Sequence, residues 1–201
     1  MTLGQKLGNM TKYSVPIAGF LGGLKMFHWT KRMVAVLMAA GLVGFGIAAD
    51  LEIDGKKGKL PAGWKEETPT NQMRLAQFKI PKVGDDAEDA ELIIFKGLGG
   101  SATANIDRWK KTFGADDQAK AKVTDLEIAG GKGQLLDIAG SYQFKARPFD
   151  PNAKTEEKKG YSMVALHWEG PQNVYHFRLT GPAKTVEKNR TAFMDWLKSF
   201  K

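Results

Sequence analysis

Residues 161–180, YSMVALHWEGPQNVYHFRLT, decide the fold. Tyr161 to Trp168 and Asn173 to Thr180 alternate apolar and polar side chains around Glu169, Gly170, Pro171 and Gln172, the period-two pattern of an antiparallel hairpin. Val164, Leu166 and Trp168 then share a face with Tyr175, Phe177 and Leu179, and that face is the expected core. His167 and His176 leave from the opposite face, as diagonal neighbours. Downstream, TGPAKTVEKNRTAFMDWLKSFK reads as a helix with Pro182 in its first turn and an apolar stripe of Val186, Phe193, Trp196, Leu197 and Phe200. This helix is expected to lie across the sheet.

Upstream, Val123 to Ala129 and Gln134 to Ile138 read as a second hairpin around Gly130, Gly131, Lys132 and Gly133, with Tyr142 and Phe144 prolonging its second arm. Residues 147–160, RPFDPNAKTEEKKG, form a long charged loop. Earlier still, Ser101 is a good N-cap for a helix with Ile106, Trp109 and Phe113 on one face; Gly114 ends it, and 115–121 form a loop. Glu91 to Lys96 carries apolar residues on both faces, as a central strand does, after an acidic turn at 82–89. Trp64 to Thr68 and Met73 to Ile80 supply two further strands, although Trp64 itself falls on no assigned face. Antiparallel strands with one internal and one terminal helix give an α+β fold, a β-sheet flanked by helices in an α/β/α sandwich.

The N-terminus reads differently. Residues 33–49, MVAVLMAAGLVGFGIAA, are uncharged, follow Lys31 and Arg32, and end in small residues. This is the pattern of an export signal, cleaved after Ala48 or Ala49, with a retained membrane anchor as the alternative. Either way the domain is delivered out of the cytoplasm, to the periplasm or beyond, and membrane contact is limited to this segment. Met26 is an alternative start that gives the signal ordinary proportions. Residues 1–49 are thus leader and signal or anchor, 50–60 a polar, Gly-rich tether, and 61–201 the globular domain.

The formal charge of +8 over 201 residues suggests nucleic acid at first sight. Five of the 30 basic residues lie in the acid-free first 49 positions, which leaves 25 against 22 acids beyond them, a net of only +3. A folded part so nearly balanced argues against a nucleic-acid partner. The chain has no Cys, which excludes disulfide frameworks, thiolate metal sites and cysteine nucleophiles.

No catalytic motif emerges. Gly97 to Ala102 formally fits G-x-G-x-x-A, but the strands after it read as antiparallel, so it is a turn and helix start with at most an anion contact at Gly99, Gly100 and Ser101. His167 and His176 are two imidazoles without a third ligand, which is poor support for zinc; they read as solvent-facing or inter-layer strand residues that can contact a ligand. The acids at 85–91 lack the spacing of a calcium loop. Trp109, Trp168 and Trp196 fall on apolar faces and read as core rather than as a stacking surface. No catalytic residue, cofactor or metal is assigned.

The order LPAGWKEETP, MRLAQFKIP, DAELIIFKGLGGSATANIDRWKKTF and VYHFRLTGPAKTVEKNRTAFMDWLKSF resembles small exported bacterial proteins with a PsbP/Mog-type α/β/α sandwich. In that group a last strand ending in T-G-P, here Thr180, Gly181 and Pro182, feeds a helix with an S-F close, here Ser199 and Phe200. The resemblance covers residues 60–201 and transfers no catalytic residue. Relatives include an extrinsic photosystem II subunit and a Ran-binding protein, which implies scaffolding or binding. The expectation is a non-enzymatic binding or accessory module whose partner is an envelope protein or a small ligand. A small periplasmic hydrolase with a dispersed His and carboxylate site is the alternative. A third reading, electrostatic binding of an anionic envelope polymer, requires Lys154, Lys158 and Lys159 to form one basic patch.

Overall fold

A computed structural model describes residues 50–146, 150 and 152–201. The signal or anchor segment and the alternative start at Met26 lie outside the described residues. Among the described residues, no helix is long and apolar enough to cross a membrane.

The described residues begin with a hairpin, β1 (Asp50–Ile53) and β2 (Lys56–Lys59), paired from Asp50↔Lys59 to Ile53↔Lys56. This corrects the reading of 50–60 as a tether. Asp54 and Gly55 take the left-handed conformation (φ 50° and 76°) that a two-residue hairpin turn requires. The hairpin is anchored: Ile53 and Leu60 are buried in the main core, and the Phe200 ring lies where a side chain on Gly58 would be.

The remaining strands are β3 (Lys65–Glu67), β4 (Arg74–Ile80), β5 (Ala90–Lys96), β6 (Lys122–Ile128), β7 (Gly131–Lys145), β8 (Thr155–Glu169) and β9 (Val174–Pro182). They form one sheet in the order β3-β4-β5-β9-β8-β7-β6, every neighbour antiparallel. Helix α1 (Ala102–Lys110) and the short α2 (Ala115–Gln118) join β5 to β6, and α3 (Ala183–Lys198) closes the chain. The 115–121 segment is therefore partly helical rather than loop throughout. The strand alternation divides the core in two. On one face Phe78, Leu92, Ile94, Leu166, Trp168, Phe177 and Leu179 pack with Phe193, Trp196 and Leu197 of α3. On the other, Leu136, Ile138, Met163 and Ala165 pack with Ile106 and Trp109 of α1 and with Phe113. The architecture is the expected α/β/α sandwich, with all three assigned tryptophans in the core.

Trp64 belongs to the α3 face. Its ring stacks on Phe193 with centroids 6.5 Å apart, and its indole N–H donates to Asn189 Oδ1 at 3.1 Å.

Two connections differ from expectation. The β6–β7 turn is Ala129–Gly130 (φ 50° and 76°), two residues rather than four, so Gly131 and Gly133 sit inside β7. The charged segment 147–160 is not one long loop, since Thr155 to Gly160 lie in β8 and Gln143↔Glu157 and Lys145↔Thr155 are paired. The strand pair is irregular between Gly140 and Tyr142, where Asp117 Oδ2 accepts from the Ser141 N–H at 2.9 Å. The acidic turn at 82–89 fastens the sheet to its surroundings. Asp86 Oδ2 accepts from the backbone N–H and the hydroxyl of Thr185, Asp85 binds Lys184 at 2.6 Å, and Glu88 binds Lys158 at 2.6 Å.

Candidate functional site

The β8–β9 register places His167 directly opposite His176, so the two are cross-strand partners and not diagonal ones. They face α1, as the alternation requires. Each is only 1% exposed, which leaves the inter-layer reading and removes the solvent-facing one. His167 Nδ1 and His176 Nε2 lie 2.9 Å apart, a distance at which one nitrogen must donate and the other accept. His167 Nε2 stands 3.6 Å from a Glu169 carboxylate oxygen and makes no hydrogen bond. That carboxylate favours a proton on His167 Nε2, which makes His167 Nδ1 the acceptor and His176 Nε2 the donor.

Both rings are held neutral. Burial lowers the His167 pKa, and Glu169 only partly opposes it. His176 is pushed down to about 4, first by burial and then by His167, Arg108 and Arg178. The Trp109 and His176 rings meet in a T-shaped pair with centroids 5.3 Å apart and planes at 84°, an arrangement that suits an uncharged ring in a packed layer.

His167 also lines an open cleft of about 570 Å³. Its walls come from Ala102 at the start of α1, from Asp125, Leu126 and Glu127 of β6, from Lys132, Gly133 and Gln134 of β7, and from His167 and Glu169 of β8. Gln134 Nε2 donates to Asp125 Oδ1 at 2.9 Å across the hairpin, which fixes one wall. Three carboxylates against one ammonium leave the lining two charges negative when His167 is neutral. A donor-rich ligand, cationic or hydroxylated, suits such a lining.

The structure brings only part of the expected contact set together. His167 and the first residue of α1 meet at the cleft, whereas Gly99, Gly100, Ser101 and His176 do not line it. Ser101 Oγ accepts from the Ala104 N–H at 3.2 Å, the N-cap bond its position suggested. Asn105 Nδ2 donates to the carbonyls of Ser101 at 2.9 Å and Gly99 at 3.4 Å, and Asn105 in turn accepts from Arg108. The Gly-rich turn is thus held by its own helix. Its strand, β5, has only antiparallel neighbours, so the parallel unit of a dinucleotide site is not formed. Asp125, Glu127, Lys132, Gln134 and Glu169 were not singled out from the sequence. With the hairpin turn read as Ala129–Gly130, alternation puts the first four on one face.

No family model matches the chain, and no curated protein matches it. Among solved structures it is similar to cyanobacterial PsbP (CyanoP) from Synechocystis, at 16% identity and a TM-score of 0.45, over 82% of this chain and 98% of that one. It is also similar to PA94, a protein of unknown function from Pseudomonas aeruginosa, at 16% identity and a TM-score of 0.40, over 75% of this chain and 94% of that one. This likeness brings no ligand, partner or activity with it.

Proposed function

We propose that the chain is a non-enzymatic binding or accessory module working outside the cytoplasm, which takes an amine- or hydroxyl-bearing ligand, or such a group on an envelope protein, in the cleft beside α1. The observation that carries this reading is His167, a buried neutral imidazole that lines the cleft and whose Nε2 makes no hydrogen bond. A buried polar group without a partner costs about 1–3 kcal/mol, which a ligand oxygen accepting from Nε2 would recover. A ligand hydroxyl suits the 3.6 Å gap, since it can accept from His167 and donate to Glu169. The signal-like segment 33–49, directly after Lys31 and Arg32, supports delivery across the membrane.

The test is an NMR titration of the full chain with amino sugars and polyols, following the His167 ring signals, with Glu169→Gln alongside. Saturable movement of His167 that weakens in Glu169→Gln is expected. Binding that leaves His167 unmoved would reject the cleft. The first residue of the native protein, read by mass spectrometry, tests export: a chain beginning at Met1 or Met26 rejects cleavage.

A hydrolase remains the second reading, because the same His167 and Glu169 share the cleft with Asp125 and could activate a water. It requires turnover of an ester or glycoside panel that disappears in a folded His167→Gln variant. The anionic-polymer reading has less support. Lys158 and Lys159 alternate along β8, and Lys158 is held by Glu88 and lies 4.7 Å over the Phe144 ring.

A further inference from the structure

On the α1 face of the sheet, beyond the histidine pair, a group of positive charges lacks its counterpart. Arg178 sits on β9 between Ile93 of β5 and Ala165 of β8. Its guanidinium lies 5.6 Å from the Phe95 ring centre, and its Nε is buried without a hydrogen-bond partner. Two residues on, on the same face, the Thr180 hydroxyl is also buried and without a partner. Arg74 and Arg108 act against the Arg178 charge and Tyr142 and Glu91 favour it, Glu91 being the one carboxylate among these described residues. Glu91 is already held by Arg74 Nη1 at 2.8 Å. Arg108 donates to the neutral amide of Asn105, and among the described residues neither Arg108 nor Arg178 forms an ion pair.

Three guanidiniums against one carboxylate leave two positive charges in a partly desolvated layer. Burial works against the Arg178 charge, but a guanidinium does not give up its proton in a protein. Such a charge is stable when an oxyanion completes it, because the planar fork of arginine matches two oxygens at once. We propose that Arg178, Arg108 and Thr180 form a binding site for a phosphate-type dianion, free or carried on a larger ligand, separate from the cleft at His167. Arg178 supplies the forked donor, Thr180 a hydroxyl donor, and Arg108 the second charge. The excess of two positive charges selects a dianion over a carboxylate.

Inorganic phosphate at about pH 8, where it is mostly dianionic, is the probe, with sodium chloride and acetate at matched ionic strength as comparators. The arginine Nε–Hε signals of the full chain report binding, and the thermal midpoint reports its effect on stability. Saturable movement of the Arg178 signal by phosphate is expected, with affinity weakened roughly tenfold in Thr180→Val and at least as much in Arg178→Lys, which keeps the charge and loses the fork. The thermal midpoint should rise with phosphate beyond its rise in chloride, and this excess should vanish in Arg178→Gln. Lys132→Gln, in the cleft, should leave the response intact. The proposal is overturned by a response that chloride or acetate reproduces, by the absence of saturation, or by full phosphate binding in Arg178→Lys.

Discussion

At the residue scale, the two buried histidines make a prediction about acid. An ordinary imidazole titrates near 6.5, while His176 in the fold is pushed down to about 4 by burial and by its charged neighbours. The unfolded chain therefore takes up a proton that the folded chain refuses, so stability is complete above about pH 6.5 and falls as pH drops toward 4. His176→Gln keeps an amide N–H for His167 and removes the titration. Its urea midpoint should start below that of the parent at pH 7.5 and converge on it at about pH 4.5; parallel curves would contradict the assignment. Asp54 acts in a separate, more acid window. Burial would raise its pKa, but hydrogen bonds from Tyr175, Asn173 and Gln172 outweigh it and hold the carboxyl below 3.8. Its contribution is lost only as pH falls below the usual carboxylate range. Tyr175→Phe removes the 2.6 Å bond to Asp54 and should cost about 1–2 kcal/mol in urea unfolding, with the acid limb of stability moving to higher pH.

At the element scale, the same Asp54 shows why the first hairpin was hidden in the sequence. Asp54–Gly55 is a strong two-residue turn signal, yet the flanking LEI and KKGK alternate too weakly to announce strands on their own. What makes them strands is tertiary: Ile53 enters the α3 core and Phe200 closes over Gly58. Helix α3 was legible because it buries one face, which imposes a period that a reader can see; the β8–β9 hairpin is buried on both faces, and its alternation shows because the large apolar rings lie on the α3 face and the two histidines and Arg178 on the other. A chain beginning at Pro61 loses the burial of Ile53 and Leu60 and the Asp54 network. It should be less stable than one beginning at Asp50 by about 4 kcal/mol, as read by urea unfolding. Equal stabilities would return 50–60 to the role of a tether. Gly140 tests the irregular stretch of β7 in the same way. With φ at 150°, a Cβ there would fall 2.0 Å from the Asp117 carboxyl carbon. Gly140→Ala should therefore release the Asp117 to Ser141 bond and lower the thermal midpoint by several degrees, about what a loss of 1–2 kcal/mol produces.

At the scale of the whole molecule, the cleft was less legible than the fold because its walls are contributed by β6, β7, β8 and α1, and only the strand order says that these ends meet. His167 could be placed on a face from alternation, but nothing local tells that Asp125 and Glu127 turn toward it. The same strand order links the two cores. Leu166 and Ala165 are neighbours on β8, yet one packs toward α3 and the other toward α1, so neither layer can loosen without disturbing the strand they share. Two apolar layers on one continuous sheet should unfold together. Trp196→Ala, in the α3 layer, and Trp109→Ala, in the α1 layer, should each cost about 3–5 kcal/mol. In both variants tryptophan fluorescence and far-ultraviolet circular dichroism should still trace one coincident urea transition, shifted to lower midpoint. Two transitions in Trp109→Ala, with the α3 side persisting after α1 has detached, would instead make the α1 layer a separately melting unit, and would put the cleft and the Arg178 site in the less stable half of the molecule.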